Sequence, residues 1–282
     1  MTHSHLPDLL VEPLVRAALV EDLGPSGDVT SAAVIPNGLQ YSATLNARQD
    51  GVISGGQLAE LAFRLVDPSL VVSVLRPDGS AVRAGEAVMT IQGAATSILS
   101  AERVALNFMG RLSGIATLTA QFVAETQGTD TRITCTRKTT PGLRLVEKQA
   151  VLHGGGAAHR FGLSDAILIK DNHIAAAGGI APALRAARAN ASHMRRIEIE
   201  VDTLAQLNEV LETGGADVVL LDNMTTADLS AAVQRVAGQV ITEASGTMRL
   251  GRIAEVAATG VNFISVGALT HSAPVLDLGL DF

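Results

Sequence analysis

Strand, loop and helix alternate along the second half of the chain, and this rhythm constrains the fold more than any other feature. Short apolar runs end near residues 170, 200, 222, 245 and 266, about 20 to 30 residues apart, which is the length of one βα unit. The predicted strands are 132–136, 166–170, 196–201, 217–222, 240–245 and 262–267, and predicted helices cover 203–213, 226–236 and 249–260. Six strands are fewer than the eight of a complete TIM barrel. The pattern predicts an incomplete, TIM-like α/β barrel, with an open doubly wound sheet as the alternative.

The first 112 residues follow a different pattern, which predicts an α+β domain. An amphipathic helix begins the chain, a second helix is predicted over 57–66, and GDVTS (27–31) is predicted to be a turn. Strand-like runs between glycine-containing turns favour a small antiparallel sheet, and they lie at 41–47, 51–55, 69–75 and 87–91. We therefore expect an N-terminal domain over 1–112 and a barrel domain over 113–272, with the tail 273–282 a candidate to return to the first domain.

Composition and charge exclude several classes of protein. Hydrophobic residues make up 47% of the 282 residues and charged residues 17%, which excludes intrinsic disorder. The longest lightly charged stretch, 104–124, is interrupted by Asn107 and Arg111, so no apolar span of about 20 residues predicts a membrane helix. The net charge of −7 argues against nucleic acid as a partner. The single cysteine, Cys135, excludes an internal disulfide and a cysteine-based zinc cage. Because the N-terminal residues show no signal-peptide pattern, we expect a cytoplasmic protein.

Cations are concentrated in one segment of this acidic chain. All three lysines, Lys138, Lys148 and Lys170, lie within 33 residues, whereas the other 18 basic residues are arginines. Residues 136–173 carry six cations and three acids, a charge of +3, so the rest of the chain carries −10. Such a segment predicts an anion-binding cleft. The alternatives are a chance cluster of lysines and a solvated helix face, which the helical spacing of 144–148 also fits.

Chemistry in a barrel is carried at the carboxyl ends of its strands. Glu198 and Glu200 alternate with apolar residues in IEIEV, so they share one face of that strand, and Asp222 ends the apolar run DVVLLD. Two carboxylates from separate strand ends, Glu200 and Asp222, predict a site of hard oxygen ligands that suits Mg²⁺. The alternative is a structural ion pair with a neighbouring arginine or lysine.

The last two predicted strands end in small residues. Ser245-Gly246-Thr247 and Ser265-Val266-Gly267 allow main-chain N–H groups to approach a phosphate closely before a helix N-terminus. The loops after the last strands are the usual phosphate site of a barrel. Together the two tripeptides predict a phosphate cradle.

At these residues the sequence resembles the quinolinate phosphoribosyltransferases, a family of type II phosphoribosyltransferases that are also called carboxylating nicotinate-nucleotide pyrophosphorylases. The resemblance runs from about Glu21 to the C-terminus. It is densest in ERVALNFMGRLSGIATLT (102–119), TRKTTPGLRLVEKQAV (136–151), GGGAAHRFGLSDAILIKDNH (154–173), IEIEV (197–201), LLDNM (220–224), EASG (243–246) and SVGALTHS (265–272). Cys135 and Thr247-Met248 depart from the family pattern without removing a group that the chemistry requires.

The resemblance implies that phosphoribosyl pyrophosphate and quinolinate react to give nicotinate mononucleotide, pyrophosphate and CO₂, a step of NAD biosynthesis. It implies catalytic roles for Lys138, Lys170, Glu200 and Asp222, with Mg²⁺ held by the two acids. The residues implied to hold the two quinolinate carboxylates are Arg137, Lys138, His159, Arg160 and Lys170, and those implied to bind the 5′-phosphate are Ser245, Gly246 and Gly267. Further implied substrate-binding residues are Thr136, Thr247, Ser265 and Val266. Arg103 is implied to reach in from a second subunit of a homodimer or a dimer-based oligomer.

Three alternatives stay open. A related transferase acting on nicotinate would need fewer carboxylate partners. A Schiff-base aldolase could use Lys170 on its barrel strand, and a non-catalytic paralogue could bind a phosphorylated metabolite. His159 could also be a packed core histidine, and His153 and His173 fit structural roles better than catalytic ones.

Overall fold

The computed structural model describes residues 5–282. Its helices, in chain order, are α1 (Asp8–Leu23), α2 (Val29–Val34), α3 (Gly56–Val66), α4 (Ala95–Ala124), α5 (Arg144–His153), α6 (Asp171–Ala177), α7 (Ile180–Asn190), α8 (Leu204–Thr213), α9 (Thr226–Val236), α10 (Ile253–Ala257) and α11 (Ala268–His271). Its strands are β1 (Gln40–Ala47), β2 (Gly51–Val52), β3 (Val71–Val74), β4 (Ala81–Val82), β5 (Ala87–Ala94), β6 (Arg132–Thr134), β7 (Ile167–Ile169), β8 (Ile197–Val201), β9 (Val218–Asp222), β10 (Ile241–Ser245), β11 (Phe263–Ser265) and β12 (Leu278–Asp281). No helix within the described residues is long and apolar enough to cross a membrane.

The chain divides into two compact units. The first unit takes the residues up to Ala120, Thr139–Gly155 and Leu269–Phe282, and the second takes Gln121–Lys138 and Gly156–Ala268. Residues 139–155, which a boundary at residue 112 places in the barrel domain, therefore lie in the first unit. The division at residue 112 stays a prediction about the domains.

The first unit is built on a four-stranded antiparallel sheet with the strand order β12-β1-β5-β3. Its edge strand β12 comes from the C-terminal tail and pairs with β1, with Leu45 opposite Leu280. The tail also passes very close to α4, since a Cβ at Gly114 would stand 1.9 Å from the main-chain oxygen of Pro274. Glycine at position 114 thus permits this approach, because any larger side chain would collide with main-chain atoms.

The second unit contains a six-stranded parallel sheet with the order β6-β11-β10-β9-β8-β7. Consecutive strands from β7 to β11 are neighbours, and the first strand, β6, pairs with the last, β11. An open doubly wound sheet would instead reverse its strand order at a switch point. The sequential order with the first strand beside the last is that of a barrel, left open between β6 and β7. The predicted α/β class, with a small antiparallel sheet and a parallel sheet, is confirmed.

Two local predictions are wrong. Residues 27–31 are a helix start, because Asp28 caps α2 by accepting a hydrogen bond from the main-chain N–H of Ser31 at 2.9 Å. The predicted helix over 249–260 is shortened to the five residues of α10. Glu125 explains the late start, since its carboxylate accepts hydrogen bonds from the main-chain N–H groups of Gly251 and Ile253.

The alternative of a solvated helix face over 144–148 does not hold for two of its charged residues. Glu147 is 0% exposed and Lys148 is 4% exposed in the first unit. The carboxylate of Glu147 pairs with the guanidinium of Arg111 on α4, with 2.9 Å between Nη2 and Oε1. A buried charge is tolerated when it is paired and hydrogen-bonded, so sequence spacing alone could not distinguish this face from a solvated one.

Candidate active site

The parallel strands of the second unit bring several of the predicted site residues to one edge of the sheet. Asp222 and Ser245 are the last residues of β9 and β10, and the two stand opposite each other in the register. Glu200 is the penultimate residue of β8, and Lys170 follows β7 directly as the N-cap of α6. Parallel strands end at a common edge, so residues up to 75 positions apart in the sequence become neighbours.

Three carboxylates at this edge form an oxygen-rich group. One oxygen each from Glu200, Asp202 and Asp222 lies within 4.8 Å of the others. Burial raises the pKa of Glu200, and the charge of Asp222 raises it further, whereas Lys170, with Nζ 3.6 Å from the Glu200 carboxylate, opposes both. Such hard oxygen donors fit Mg²⁺. Sequence reasoning missed Asp202, although continuing the alternation of 198 and 200 by one more step would have found it.

A second, deeper group consists of His159, Glu198 and Glu243. The imidazole Nε2 lies 3.2 Å from Oε2 of Glu198 and 3.4 Å from Oε1 of Glu243. Burial alone lowers the pKa of His159, but the hydrogen bonds and negative charges of the two glutamates raise it to about 10. Burial raises the pKa of Glu198. Glu243 begins the EASG run (243–246), but the sequence assigned it no role in the site.

Two arginines lie next to this deeper group. Arg137 and Arg160 each have a buried Nε with no hydrogen-bond partner among residues 5–282. Burial lowers the pKa of Arg160, and the like charge of Arg137 lowers it further. Two neighbouring guanidinium groups that repel each other gain most from an anion between them. A planar carboxylate matches their fork of donors.

The remaining members of the predicted cationic group are more exposed. Lys138 is exposed, and its main-chain N–H donates to Oγ1 of Thr136 at 3.1 Å. Lys170 has a side chain that is 49% exposed. His173 accepts a hydrogen bond from the main-chain N–H of Lys170 at 3.0 Å, so this histidine caps α6, in agreement with the structural role predicted for it.

The predicted phosphate-binding residues differ in whether their hydrogen-bond donors already have acceptors inside the protein. Gly246 has φ +118°, and a Cβ there would stand 2.5 Å from Oδ1 of Asn223, so this position needs glycine. By contrast, Ser265 is buried with its hydroxyl directed at the Ala244 carbonyl at 3.5 Å, and the main-chain N–H of Val266 donates to Thr134 O at 2.9 Å. These two groups already have internal acceptors.

The helices that follow are short, contrary to the sequence prediction of a helix N-terminus at the phosphate. α10 begins eight residues after Ser245, and α11 has only four residues. A helix dipole is therefore a weak contributor here, and exposed main-chain N–H groups are the donors that the strand ends can offer.

Arg103 and His153 belong to the first unit. Arg103 is exposed on α4. His153 is buried at the end of α5, with Nδ1 2.8 Å from the hydroxyl of Ser54. That contact supports the structural role predicted for His153.

Comparison with known proteins gives concordant results. Residues 28–113 match the family described as "Quinolinate phosphoribosyl transferase, N-terminal domain", and residues 115–281 match the corresponding C-terminal domain. The chain is 41% identical to the probable carboxylating nicotinate-nucleotide pyrophosphorylase of Bacillus subtilis, over 97% of this chain and 93% of the relative. It is 43% identical to a chloroplastic enzyme of the same description from Arabidopsis thaliana, over 97% and 83%.

Solved structures agree with these sequence matches. The nicotinate-nucleotide pyrophosphorylase of Francisella tularensis has a TM-score of 0.92 at 38% identity, covering 98% of this chain and 97% of that one. A human nicotinic acid phosphoribosyltransferase, at 14% identity and a TM-score of 0.63, shares the fold. The resemblance stated from the sequence motifs is confirmed: the chain belongs to the quinolinate phosphoribosyltransferase family.

Proposed function

We propose that this chain transfers a phosphoribosyl group from phosphoribosyl pyrophosphate to quinolinate and releases CO₂, forming nicotinate mononucleotide and pyrophosphate. The observation that carries the proposal is the pairing of two sites in the second unit. Arg137 and Arg160 form a half-buried cationic pair, with buried Nε atoms, that is suited to carboxylates, and Glu200, Asp202 and Asp222 form an oxygen-rich group at the strand ends. Relatives at 41–43% identity carry names that describe this reaction.

The cationic residues would bind the two carboxylates of quinolinate. Arg137 and Arg160 supply planar donors for a bidentate contact, and Lys138 and Lys170 supply compact point charges. Binding an anion relieves the repulsion between the two arginines and gives their buried Nε atoms a partner. Thr136 fixes the turn that presents Lys138 through the 3.1 Å hydrogen bond between them.

The carboxylates Glu200 and Asp222 would hold Mg²⁺ next to the ribose and pyrophosphate, with Asp202 as a third ligand. When bound, the metal would supply charge that stabilises the departing pyrophosphate. Asn223 keeps Asp222 in place, since its Nδ2 donates to Oδ2 of Asp222 at 2.6 Å. Ser245, Gly246, Thr247 and Gly267 would bind the 5′-phosphate, and Ser265 and Val266 would shape that cradle through their internal hydrogen bonds.

In the reaction, the pyridine nitrogen forms a bond to ribose C1 while the bond from C1 to the pyrophosphate oxygen breaks. The ribose becomes oxocarbenium-like, and the nearby carboxylates favour that positive charge. The alkylated nitrogen is positive, so it stabilises the carbanion left at ring C2 when the C2 carboxylate leaves as CO₂, and a proton then replaces it. The arginine pair holds the substrate in position for both steps.

A dimer and a cytoplasmic location complete the proposal. Arg103, exposed on α4, would reach the substrate of a partner subunit. Mixing inactive Arg103→Ala protein with inactive Lys138→Ala protein should then restore part of the activity, because some sites in mixed dimers are intact. A lack of recovery after proven subunit exchange would refute the shared site.

The function is tested by comparing quinolinate with nicotinate as substrates in the presence of Mg²⁺. We expect kcat/KM to favour quinolinate strongly, because a site built for two carboxylates leaves some of its cationic donors, including buried arginine Nε atoms, without a partner when one carboxylate is missing. Arg137→Ala should raise the KM for quinolinate, whereas Arg185→Ala, a matched change at an exposed position of α7, should not. A preference for nicotinate would refute the assignment.

A further inference from the structure

The segment after β10 contains an arginine to which neither the sequence motifs nor the proposed function assigns a role. Arg252 immediately precedes α10, and its side chain is half-buried. The carboxylate of Glu125 accepts hydrogen bonds from the main-chain N–H groups of Gly251 at 2.7 Å and Ile253 at 3.2 Å. The main chain is thus fixed on both sides of Arg252, and its guanidinium extends from an anchored position.

The guanidinium of Arg252 joins two turns at the carboxyl edge of the parallel sheet. Nη2 donates to the main-chain oxygen of Met224 in the β9 turn (222–224), and Nη1 donates to that of Thr247 in the β10 turn (245–247), each at 3.3 Å. A single side chain can bridge two such acceptors because guanidinium holds its donors in a rigid, planar fork.

Each turn contains a residue with a main-chain conformation that most side chains disfavour. Asn223 in the β9 turn has φ +51°, and Gly246 in the β10 turn has φ +118°. Asparagine tolerates the left-handed region better than most residues, but such a conformation persists only when its surroundings hold it. The main-chain N–H of Asn223 donates to the Ser245 carbonyl at 3.1 Å, which connects the two turns directly. Arg252 provides a second connection between them.

The two turns carry residues for the two ends of phosphoribosyl pyrophosphate. The β9 turn begins with Asp222, the proposed metal ligand beside the pyrophosphate, and the β10 turn consists of the small residues proposed for the 5′-phosphate. A turn that is already held in its binding conformation loses less conformational freedom when the ligand arrives. Holding both turns therefore strengthens binding without adding a contact to the ligand.

We propose that Arg252 is a positioning residue, which holds the β9 turn and the β10 turn in the conformations that bind phosphoribosyl pyrophosphate. This inference rests on the proposed function and extends it to a residue outside the binding motifs. Arg252 acts through the main-chain oxygens of Met224 and Thr247, and it does not itself bind the substrate.

Each turn is tested separately with a probe that resembles one end of the substrate. Ribose 5-phosphate presents the 5′-phosphate alone, and inorganic pyrophosphate with Mg²⁺ presents the other end. Isothermal titration calorimetry of the full chain gives Kd for each probe in the absence of turnover. We expect Arg252→Met to weaken both probes about fivefold, the change in affinity that corresponds to one ordinary hydrogen bond lost from each turn.

Two further variants separate the hydrogen bonds of Arg252 from its charge. Arg249→Met removes the same charge from an exposed position three residues earlier, and it should leave both Kd values within about twofold of those of the unmodified chain. Arg252→Lys keeps the charge but replaces the planar fork by one ammonium group, so it should weaken both probes much as Arg252→Met does. The KM for quinolinate should stay within about twofold in all three variants, because the arginine pair for its carboxylates lies outside both turns.

Several results would overturn the positioning role. Weaker binding of ribose 5-phosphate alone would make Arg252 a direct ligand of the phosphate, and weaker binding of pyrophosphate alone would disconnect it from the β10 turn. Unchanged binding of both probes by Arg252→Lys would show that charge suffices. Partial unfolding lowers the number of binding sites per chain in the titration rather than changing Kd. If Arg252→Met does not fold, Arg252→Lys and Arg252→Gln are measured against the same expectation of weaker binding at both turns.

Failure of the inference is distinguishable from failure of the proposed function. If the unmodified chain binds both probes but does not turn over quinolinate, the proposed function is wrong, and the titrations still decide the role of Arg252. If the unmodified chain is active and Arg252→Met binds both probes as Arg249→Met does, the proposed function stands and the positioning role is wrong. A chain that binds neither probe contradicts both.

Discussion

The ion pair between Arg111 and Glu147 offers a sharp test of what stabilises the first unit. Arg111 donates from Nε and Nη2 to Oε1 of Glu147 at 3.3 Å and 2.9 Å, and it also reaches the main-chain oxygens of Thr270 and Ala273. The hydroxyl and the main-chain N–H of Thr140 donate to the same carboxylate at 2.7 Å and 3.0 Å. The group therefore joins α4, α5, the segment before α5 and the start of the tail. We predict that Arg111→Met lowers the free energy of unfolding far more than a surface change would.

The expected loss in the free energy of unfolding follows from the burial of Glu147. Glu147 is 0% exposed, so removing Arg111 leaves its buried charge without this cationic partner, which is worth about 3–5 kcal/mol. For a chain of this size, such a loss lowers Tm by on the order of 10 °C. The double variant Arg111→Met/Glu147→Leu removes both charges, and it should be more stable than Arg111→Met alone, because the unpaired carboxylate is gone. The matched control is Arg16→Met, since Arg16 pairs with Glu12 on the exposed side of helix α1, and it should change stability by less than about 1 kcal/mol.

Urea denaturation followed by circular dichroism, with a thermal melt as a second probe, measures all three variants. The reasoning would be refuted if Arg111→Met lost less than about 1 kcal/mol, or if the double variant were less stable than the single one. Either result would mean that the pair is solvated in the folded chain.

Three further predictions concern single positions. Gly246→Ala should weaken binding of phosphoribosyl pyrophosphate at least tenfold in a titration, because φ +118° and the 2.5 Å approach of Asn223 leave no room for a Cβ; unchanged affinity would show that this turn can move freely. Asp28→Ala should destabilise the chain by about 1 kcal/mol at pH 7 through loss of the α2 cap. Hydrogen bonds from Ser31 hold the pKa of Asp28 below its ordinary value, so this stabilisation is present above the ordinary pKa and is lost as the pH falls through the lowered one; a stability difference that stayed constant into strong acid would contradict the cap. Asp222→Asn should raise the Mg²⁺ concentration needed for half-maximal activity without lowering Tm, and an unchanged requirement would remove Asp222 from the metal site.

The parallel sheet and the residues at its edge could be predicted from the sequence, because buried strands repeat at the spacing of a βα unit and polar residues lie at or next to their carboxyl ends. Glu200, Asp222 and Lys170 stood out for that reason. Glu243 did not, since a single acid inside a strand shows no function until the fold brings His159 beside it. The burial of Glu147 could not be predicted either, because its helical spacing fits a solvated face equally well.

Main-chain hydrogen bonds are a second feature that the sequence could not predict. The small residues of 245–247 and 265–267 indicated a cradle, but the sequence could not show that the Val266 N–H already donates inside the sheet. Asp28 followed by Val29 and Thr30 was equally consistent with a turn and with a capped helix. The structure shows the capped helix, in which the Asp28 side chain accepts from the Ser31 N–H.

Product stoichiometry tests the central claim most directly. The purified chain is supplied with quinolinate labelled in its C2 carboxylate, phosphoribosyl pyrophosphate and Mg²⁺, and labelled CO₂, pyrophosphate and nicotinate mononucleotide are quantified together. The account predicts that the three products form in equal amounts, and that Arg160→Ala lowers all three together. Pyrophosphate release without labelled CO₂, or nucleotide formed from nicotinate at a rate equal to that from quinolinate, would contradict it.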